Sequence, residues 1–430
     1  MTDPDHLSRR EWLKLLGVGG AGLALGELLP LELGRPLPQR QVPNAAWNTS
    51  GPLVPYPQKL PLIVLTDRPV QLETPRDYFA SPFTPNAAFF VRWHLDQHPN
   101  AIDLSRWRLE VGGRVRRVLS LTFDDLVSKY PAVTVAAVNQ CSGNSRSRFQ
   151  PRVPGGQWGN GAMGSAVWTG ARLASLLEAA EPQPGAVAVQ FEGLDRGRGP
   201  IGKGSHSFLK SLNLDETALR DSVVAYAMNG DPLPMLNGFP VRLVVPGWFA
   251  TYWVKALTWI RVLDQPDDNF WMKSAYRIPD TPRGSTTPDS ARAGAVRMIP
   301  IHRMPVRSFL ISPDGSAKLP AGLPVTVRGI AFSGYGRIVK VEISEDDGHS
   351  WRDAELGTDH GPYAFRTWEA RWTPRETGVA TLAVRATDDG GNTQPDEGVW
   401  NPGGYLWNRI ERQAIVVGAG GGGGEQGGRL

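Results

Sequence analysis

The residue whose type and setting most clearly suggest chemistry is Cys141, the only cysteine in 430 residues. It lies in the segment 138–168, which is rich in glycine, asparagine and arginine and predicts a loop with no packed strand or helix. Cationic neighbours and backbone N–H groups favour a thiolate, which attacks electrophiles or binds soft metals. A free cysteine is also among the most commonly buried residues, so an inert apolar role is an equal alternative at this point.

Polar residues inside apolar sequence form the second group of candidates. In the segment 86–98, Arg92 and His94 close an apolar run and share one face of a predicted strand. Arg242 and Lys255 lie within the apolar segment 238–263. Because a buried cation is costly without an anion, each of these two forms a core salt bridge or faces a bound anionic group.

The elements that must position these residues are mainly β. The apolar run 133–138 predicts a strand that delivers the chain into the Cys141 loop, and the run 186–195 predicts a strand ending at Asp195. Thr122 is the expected N-cap of one short helix, and Thr169 the expected N-cap of a second.

The 49 glycines and 37 prolines predict many turns and few long helices. From Met298 onward, short alternating strands separated by Asp-Gly or Gly-Gly turns favour an immunoglobulin-like β-sandwich. The predicted fold class is α+β: a mixed α/β first domain followed by that sandwich. The expected segments are a signal at 1–36, an extended arm at 37–85, the first domain at 86–296, the sandwich at 297–417 and a disordered glycine-rich tail at 418–430.

The N-terminus has the pattern of a twin-arginine export signal. Arg9 and Arg10 are followed by Glu11-Trp12-Leu13-Lys14 and a Leu/Gly/Ala stretch. An ordinary amphipathic helix is the alternative, although four glycines between 17 and 22 disfavour it. We therefore expect export of an already folded chain to the periplasm, with no stable membrane span in the mature protein and with retention of the signal as an anchor left open. The single cysteine excludes an intramolecular disulfide.

Composition and motifs exclude several classes of protein. The net charge of +4 comes without long Lys/Arg runs, which argues against nucleic-acid binding and favours anionic small molecules or an acidic partner protein. The sequence has no P-loop, no G-x-G-x-x-G after a strand and no His/Glu metal motif, and no C-x-x-C-H motif for a covalently attached haem.

Several motifs in order resemble the sulfite oxidase family of molybdenum enzymes, especially its bacterial periplasmic sulfite dehydrogenases. The resemblance covers roughly residues 75–415. It is carried by FFVRWH at 89–94, QCSGN-x-R at 140–146, GAMGSAVWTGARL at 161–173, FEGLD at 191–195, NGFPVRLVVPG at 237–247 and YWVK at 252–255.

The resemblance implies a molybdenum–molybdopterin cofactor with Cys141 as the thiolate ligand of the metal. It implies oxidation of sulfite to sulfate by oxygen-atom transfer, with electrons leaving one at a time to an external c-type cytochrome, no haem in this chain, and a homodimer formed through the C-terminal domain. Arg92, Arg146 and Tyr276 are the implied catalytic residues of an oxyanion pocket. The other implied cofactor-binding residues are Phe90, His94, Asp195, Arg242, Thr251, Trp253 and Lys255, together with Arg92.

Three departures from the family pattern concern the substrate. Trp407 stands where the bacterial enzymes have an arginine, Ala275 replaces an acid of the vertebrate enzymes, and their active-site lysine has no counterpart in residues 152–158. Alternatives are therefore a family member acting on another S- or N-oxide, a thiol enzyme using Cys141 and His94, and an immunoglobulin-like binding protein.

Overall fold

The structure is a computed structural model that describes residues 53–54, 56, 58–199, 202–316 and 318–419. The expected twin-arginine segment and residues 420–430 of the expected tail lie outside these ranges. No helix in the described ranges is long and apolar enough to cross a membrane.

The described chain is mostly β-sheet. Its strands, in chain order, are β1 Leu53–Val54, β2 Leu62–Asp67, β3 Val70–Glu73, β4 Val91–Arg92, β5 Leu109–Gly113, β6 Leu119–Leu121, β7 Ala132–Gln140, β8 Met163–Arg172, β9 Ala188–Gly199, β10 Gly202–Asn213, β11 Val223–Met228, β12 Asp231–Pro232, β13 Arg242–Val244, β14 Leu257–Leu263, β15 Arg277–Pro279, β16 Met298–Pro300, β17 Arg307–Ser312, β18 Lys318–Pro320, β19 Val325–Phe332, β20 Ile338–Ser344, β21 Arg352–Asp353, β22 Glu355–Leu356, β23 Arg366–Trp372, β24 Gly378–Asp388 and β25 Glu411–Gly418.

In the described residues helices are few and short, as the sequence predicts. The longest helix in the described residues has eight residues. The α-helices are α1 Phe123–Lys129, α2 Leu173–Ala180, α3 Thr217–Asp221, α4 Phe270–Lys273 and α5 Pro288–Arg292, and the 3-10 turns are Arg76–Phe79, Asn86–Ala88, Arg146–Arg148, Met235–Asn237 and Ala250–Tyr252.

Two five-stranded sheets and a small four-stranded sheet build the first part of the molecule. One large sheet has the order β10-β9-β14-β5-β6, and the other has β12-β11-β8-β7 with β13 paired to β11. In the small sheet β1-β2-β3-β4, residues of the expected extended arm pair with β4, which places Gln71 opposite Arg92. The arm is thus built into the sheet that carries a candidate site residue.

The C-terminal part is a sandwich of two sheets. One has the order β17-β19-β23-β22 and the other β18-β25-β24-β20-β21. Their shared core contains Leu310 and Val327 from the first sheet and Val341, Leu382 and Ile415 from the second. Alternating apolar positions along these strands therefore face each other between the sheets.

One predicted helix cap is confirmed and the other is wrong. Thr122 caps α1 in a capping box with Asp125. Thr169 instead lies inside β8, opposite Thr134 of β7, and α2 begins at Leu173. Because β8 pairs with β7 on one side and β11 on the other, strand pairing outweighs the local cap signal. The expected loop at 138–168 is correspondingly shorter, since β8 already begins at Met163.

Candidate active site

Cys141 lines a cavity that also receives side chains from β4 of the small sheet and from β7 and β13 of one large sheet. It follows the last residue of β7 and is 7 % exposed. The cavity is lined by Phe90, Arg92, His94, Asn139, Cys141, Ser142, Leu236, Asn237, Arg242, Ala250, Thr251, Lys255 and Tyr276. One cavity therefore collects most of the candidates predicted from the sequence.

The loop carrying Cys141 is held by its own backbone. The Cys141 N–H donates to the Ala162 carbonyl at 2.9 Å, which continues the β7–β8 pairing by one residue. The Asn144 N–H donates to the Cys141 carbonyl at 3.0 Å, and the Asn144 side-chain oxygen accepts from the Ala162 N–H at 3.1 Å. The position of the cysteine backbone is thus fixed from both sides.

Arg242 and Lys255 are buried cations with no carboxylate partner within salt-bridge distance among the described residues. The Arg242 guanidinium donates only to the carbonyls of Asn237 and Trp253, at 3.0 and 3.2 Å, and lies over the rings of Trp168 and Trp253. The Lys255 ammonium lies 4.9 Å from the centre of the Trp93 ring. Neither cation therefore forms the core salt bridge that was one of the two predicted alternatives. The other alternative, a bound anionic group, remains as the explanation for their burial.

Burial weakens the charged state of both cations. It lowers the pKa of Arg242 to about 9 and is the main cause that lowers the pKa of Lys255 to about 7, with the charge of Arg242 adding to the effect. A bound phosphate-like group would restore their charge by direct pairing.

Burial keeps the His94 ring neutral, and a hydrogen bond to Asp195 orients it. Burial, followed by the charge of Arg92, lowers the pKa of His94 to about 3. Burial raises the pKa of Asp195, but the hydrogen bonds from His94 and the charge of Lys255 outweigh it and hold the pKa below its usual value. The Asp195 carboxylate accepts from the backbone N–H groups of His94 and Leu95 and from His94 Nδ1, at 2.8 Å in the last case. With Nδ1 as donor, Nε2 is left as an acceptor.

Arg92 and Tyr276 are neighbours on the cavity wall. Arg92 Nη2 lies 3.5 Å from the Tyr276 hydroxyl, and burial raises the pKa of Tyr276, which keeps the phenol protonated. Tyr276 has a φ of +54°, a left-handed conformation that is unfavourable for a side chain of this size. The pocket thus presents a fixed guanidinium and a fixed hydroxyl donor to the space beside Cys141.

Three predicted site residues lie outside the cavity wall, and so does Trp407, the residue that departs from the family pattern. Asp195 forms a hydrogen bond with His94 Nδ1, and Trp253 packs against Arg242. Arg146 donates to the carbonyls of Gly156 and Gly403 and lies 5.3 Å from the centre of the Tyr405 ring. Trp407 packs on Phe149. Phe90 and Thr251 line the cavity as expected.

Other residues around the site were not singled out from the sequence. Tyr405 stacks on Tyr276 at 5.7 Å, and Lys210 lies over the faces of Tyr252 and Tyr276. Lys59 donates to Asn237 beneath the cavity, and Glu73 accepts from the N–H groups of Gly159 and Gly161 in the cysteine loop. The sequence could have identified Lys210, because side chains alternate between the two faces of a strand. Lys210 therefore lies on the same face of β10 as the buried Phe208 and Leu212.

The cavity fits a large anionic group with a soft metal. Four buried polar atoms around it have no hydrogen-bond partner: Asn139 Nδ2, Ser142 Oγ, Arg242 Nε and Thr251 Oγ1. Buried donors of this kind require a partner. In the described part of the chain, no group of three or more His, Cys, Asp or Glu residues could hold a metal ion. The one thiolate of Cys141, with further ligands from an organic cofactor, matches this arrangement.

Comparisons with known proteins agree with this reading of the site. Residues 94–271 match the oxidoreductase molybdopterin binding domain, and residues 298–417 match the Mo-co oxidoreductase dimerisation domain. Sulfite oxidase of Gallus gallus is 36% identical over 384 residues, which cover 85% of this chain and 81% of the relative. Nitrate reductase [NADH] 1 of Oryza sativa is 32% identical over 347 residues, or 76% of this chain and 37% of that protein.

A solved structure shares the fold. The sulfane dehydrogenase SoxCD of Paracoccus pantotrophus superimposes with a TM-score of 0.69 at 22% identity, covering 92% of this chain and 98% of that chain. The family models, the identity to sulfite oxidase over most of both chains and the cavity around Cys141 lead to one conclusion: the chain belongs to the sulfite oxidase family of molybdopterin oxidoreductases.

Proposed function

We propose that the protein oxidises sulfite to sulfate and passes the electrons to a separate c-type cytochrome. The observation that carries the proposal is the joining, in one cavity, of Cys141, the Arg92–Tyr276 pair and the uncompensated cations Arg242 and Lys255. Cys141 would bind molybdenum, and Arg242, Lys255, Thr251 and His94 would hold the pterin and its phosphate. When bound, the cofactor supplies the oxygen-atom transfer and takes up two electrons.

The residues of this chain bind and orient the substrate. The Arg92 guanidinium pairs with a sulfite oxygen, and the protonated Tyr276 hydroxyl donates a second hydrogen bond. Arg146 adds positive charge from behind Tyr405. The net reaction consumes one sulfite and one water and yields sulfate, two protons and two electrons. Fixed positive charge in a buried site favours the doubly charged anion over water.

The assembly and location of the protein belong to the same proposal. The match of residues 298–417 to a dimerisation domain supports a homodimer formed through an immunoglobulin-like C-terminal sandwich. The Arg9-Arg10 segment supports periplasmic export by the twin-arginine route after the cofactor has been inserted.

Sulfite-dependent reduction of cytochrome c by the molybdenum-loaded protein tests the substrate and the acceptor together. We expect turnover that saturates with sulfite and a higher KM in Arg92→Gln. Absence of sulfite oxidation with any artificial or protein acceptor, in protein that contains molybdenum, would contradict the proposal.

A second candidate is a family enzyme that acts on another S- or N-oxide. Two observations favour it: the similarity to a nitrate reductase, and the packing of Trp407 on Phe149 where the bacterial sulfite dehydrogenases have an arginine. Turnover with nitrate or a sulfoxide and reduced dye, without sulfite oxidation, would select this candidate.

A further inference from the structure

A buried arginine of the C-terminal sandwich forms hydrogen bonds with the loop that carries Cys141. Arg307, the first residue of β17, is 2 % exposed. Its Nη1 donates to the Gln140 side-chain oxygen at 3.3 Å, and its Nη2 donates to Ser145 Oγ at 2.9 Å. One guanidinium therefore bridges the residue before the cysteine and the residue four positions after it.

A glutamate from the neighbouring sheet completes the network. Glu411, at the start of β25, accepts from Arg148 Nη2 at 2.9 Å and from Asn160 Nδ2 at 3.3 Å. Ser145 Oγ in turn donates to the Asn160 side-chain oxygen at 2.5 Å. The two sheets of the sandwich thus hold both arms of the loop through one connected set of hydrogen bonds.

The network reaches Cys141 in one further step. Gln140 also accepts from Asn144 Nδ2 at 3.2 Å, and Asn144 binds the Cys141 carbonyl through its N–H. Ser145 has a φ of +67°, which is unfavourable for a residue other than glycine and is held in place by its contacts with Arg307 and Asn160.

We propose that Arg307 is a positioning residue for Cys141, through which the C-terminal sandwich sets the geometry of the thiolate. The role rests on the proposed function of Cys141 as a molybdenum ligand. The Arg307 guanidinium is buried against the Phe309 ring. Stability of the fold does not by itself explain an arginine there, because a protein with an apolar side chain of similar volume at a buried charged position is often at least as stable. Burial also lowers the pKa of Arg307 to about 9 despite the nearby Glu411.

The test uses the full chain without cofactor, in which Cys141 is the only thiol. The rate of its alkylation by iodoacetamide is measured in wild-type protein and in Arg307→Gln. We expect at least a tenfold faster reaction in Arg307→Gln, because the loop no longer holds the buried cysteine, and a rate near that of wild type in Arg307→Lys, which retains one cationic donor.

The matched control is Leu310→Ala, on the same strand, whose side chain packs in the sandwich core. It should lower Tm while leaving the alkylation rate of Cys141 within twofold of wild type. The proposal is overturned if Arg307→Gln reacts at the wild-type rate, or if both variants react faster in proportion to their loss of Tm.

A second readout uses the molybdenum-loaded protein. The electron paramagnetic resonance signal of the half-reduced metal should shift in Arg307→Gln and stay unchanged in Leu310→Ala; an unchanged signal in both contradicts the proposal. Failure of the wild-type chain to bind molybdenum would instead contradict the proposed function, and the alkylation rates would still decide whether Arg307 positions the cysteine.

Discussion

Three lysines in the part of the chain that the structure describes are buried, each for a different reason. Lys59 donates to two backbone carbonyls and to Asn237, and so supports the floor of the cavity. Lys255 faces the cavity, where an anion would compensate it. Lys210 is fully buried against the Trp271 carbonyl, the Met272 sulfur and the faces of two tyrosines. Burial is the main cause that lowers the pKa of each to about 7.

Lys210→Met should change how stability depends on pH. The folded-state pKa of about 7 lies below the ordinary 10.5, so between these values the unfolded chain carries a proton that the folded chain has lost. Raising the pH through this window therefore stabilises the folded wild-type chain, by up to about 1.4 kcal/mol per pH unit for this one group. The loss of stability caused by burying Lys210 is therefore complete below pH 7 and becomes small towards pH 10.

Urea unfolding of the cofactor-free protein at pH 6, 8 and 10 measures the effect. At pH 6, Lys210→Met should have a higher free energy of unfolding than wild type. This difference should become smaller as the pH rises. Lys129→Met, at an exposed ion pair, is the control and should show no such trend. A constant difference between Lys210→Met and wild type across this range would contradict the assignment.

Arg242→Gln should reduce retention of the cofactor. Losing a charge-assisted hydrogen bond to a phosphate costs about 1.5–3 kcal/mol, or roughly 10- to 150-fold in affinity. Pterin fluorescence after oxidation and metal content per chain measure the loss. Arg261→Gln serves as the control, because Arg261 contacts Gln190 and Trp259 and does not line the cavity. Equal cofactor content in both variants would show that Arg242 does not bind the cofactor.

At the scale of elements, the site depends on strand β3 packing against the cysteine loop. Glu73 binds the N–H groups of Gly159 and Gly161, and the Thr74 N–H donates to the Gly161 carbonyl at 3.0 Å. A Cβ at Gly161 would clash with the Thr74 carbonyl oxygen and the Glu73 side chain. The backbone approach therefore requires glycine at this position.

Gly161→Ala should destabilise the protein by about 1–3 kcal/mol, the range of an overpacked core, and should loosen Cys141. Thermal unfolding and alkylation of the cysteine measure the two effects. At Gly112 a Cβ would meet the edge of the Trp259 ring at 3.3 Å and the Val118 side chain at 3.8 Å, with no backbone atom among these contacts, so Gly112→Ala is the matched control with a small expected change. A Gly161→Ala protein with wild-type Tm would show that β3 does not constrain the loop.

Local sequence predicted some elements and not others, for reasons visible in the structure. The strand before Cys141 and the Thr122 cap depend on patterns within a few residues, and both are confirmed. The Thr169 cap failed because β8 is paired on both sides, which no local pattern reports. The contribution of β3 to the site was missed because Glu73 reaches the loop across 86 or more residues of sequence.

At the scale of the whole molecule, the site is assembled from distant parts of the chain. The buried cations Arg242 and Lys255 could be recognised from the sequence because a charge inside an apolar run of residues is conspicuous. Arg307 and Tyr405 could not, because their roles arise only where the C-terminal part meets the cysteine loop and Tyr276. The C-terminal part is therefore both the expected dimerisation domain and a support for the cysteine loop and Tyr276.

A homodimer is the expected assembly in solution. Light scattering coupled to size-exclusion chromatography should give twice the mass of one chain for the molybdenum-loaded protein. A monomer at micromolar concentration would contradict a dimer formed through residues 298–417.

The most direct test of the central claim is the molybdenum content of purified protein from cells that make the cofactor. Wild-type protein should contain about one molybdenum and one pterin per chain, and its absorption should include a thiolate-to-metal band. Cys141→Ser should retain the pterin but lose that band and all turnover. A wild-type protein without molybdenum, or a Cys141→Ser protein with an unchanged spectrum, would contradict the account.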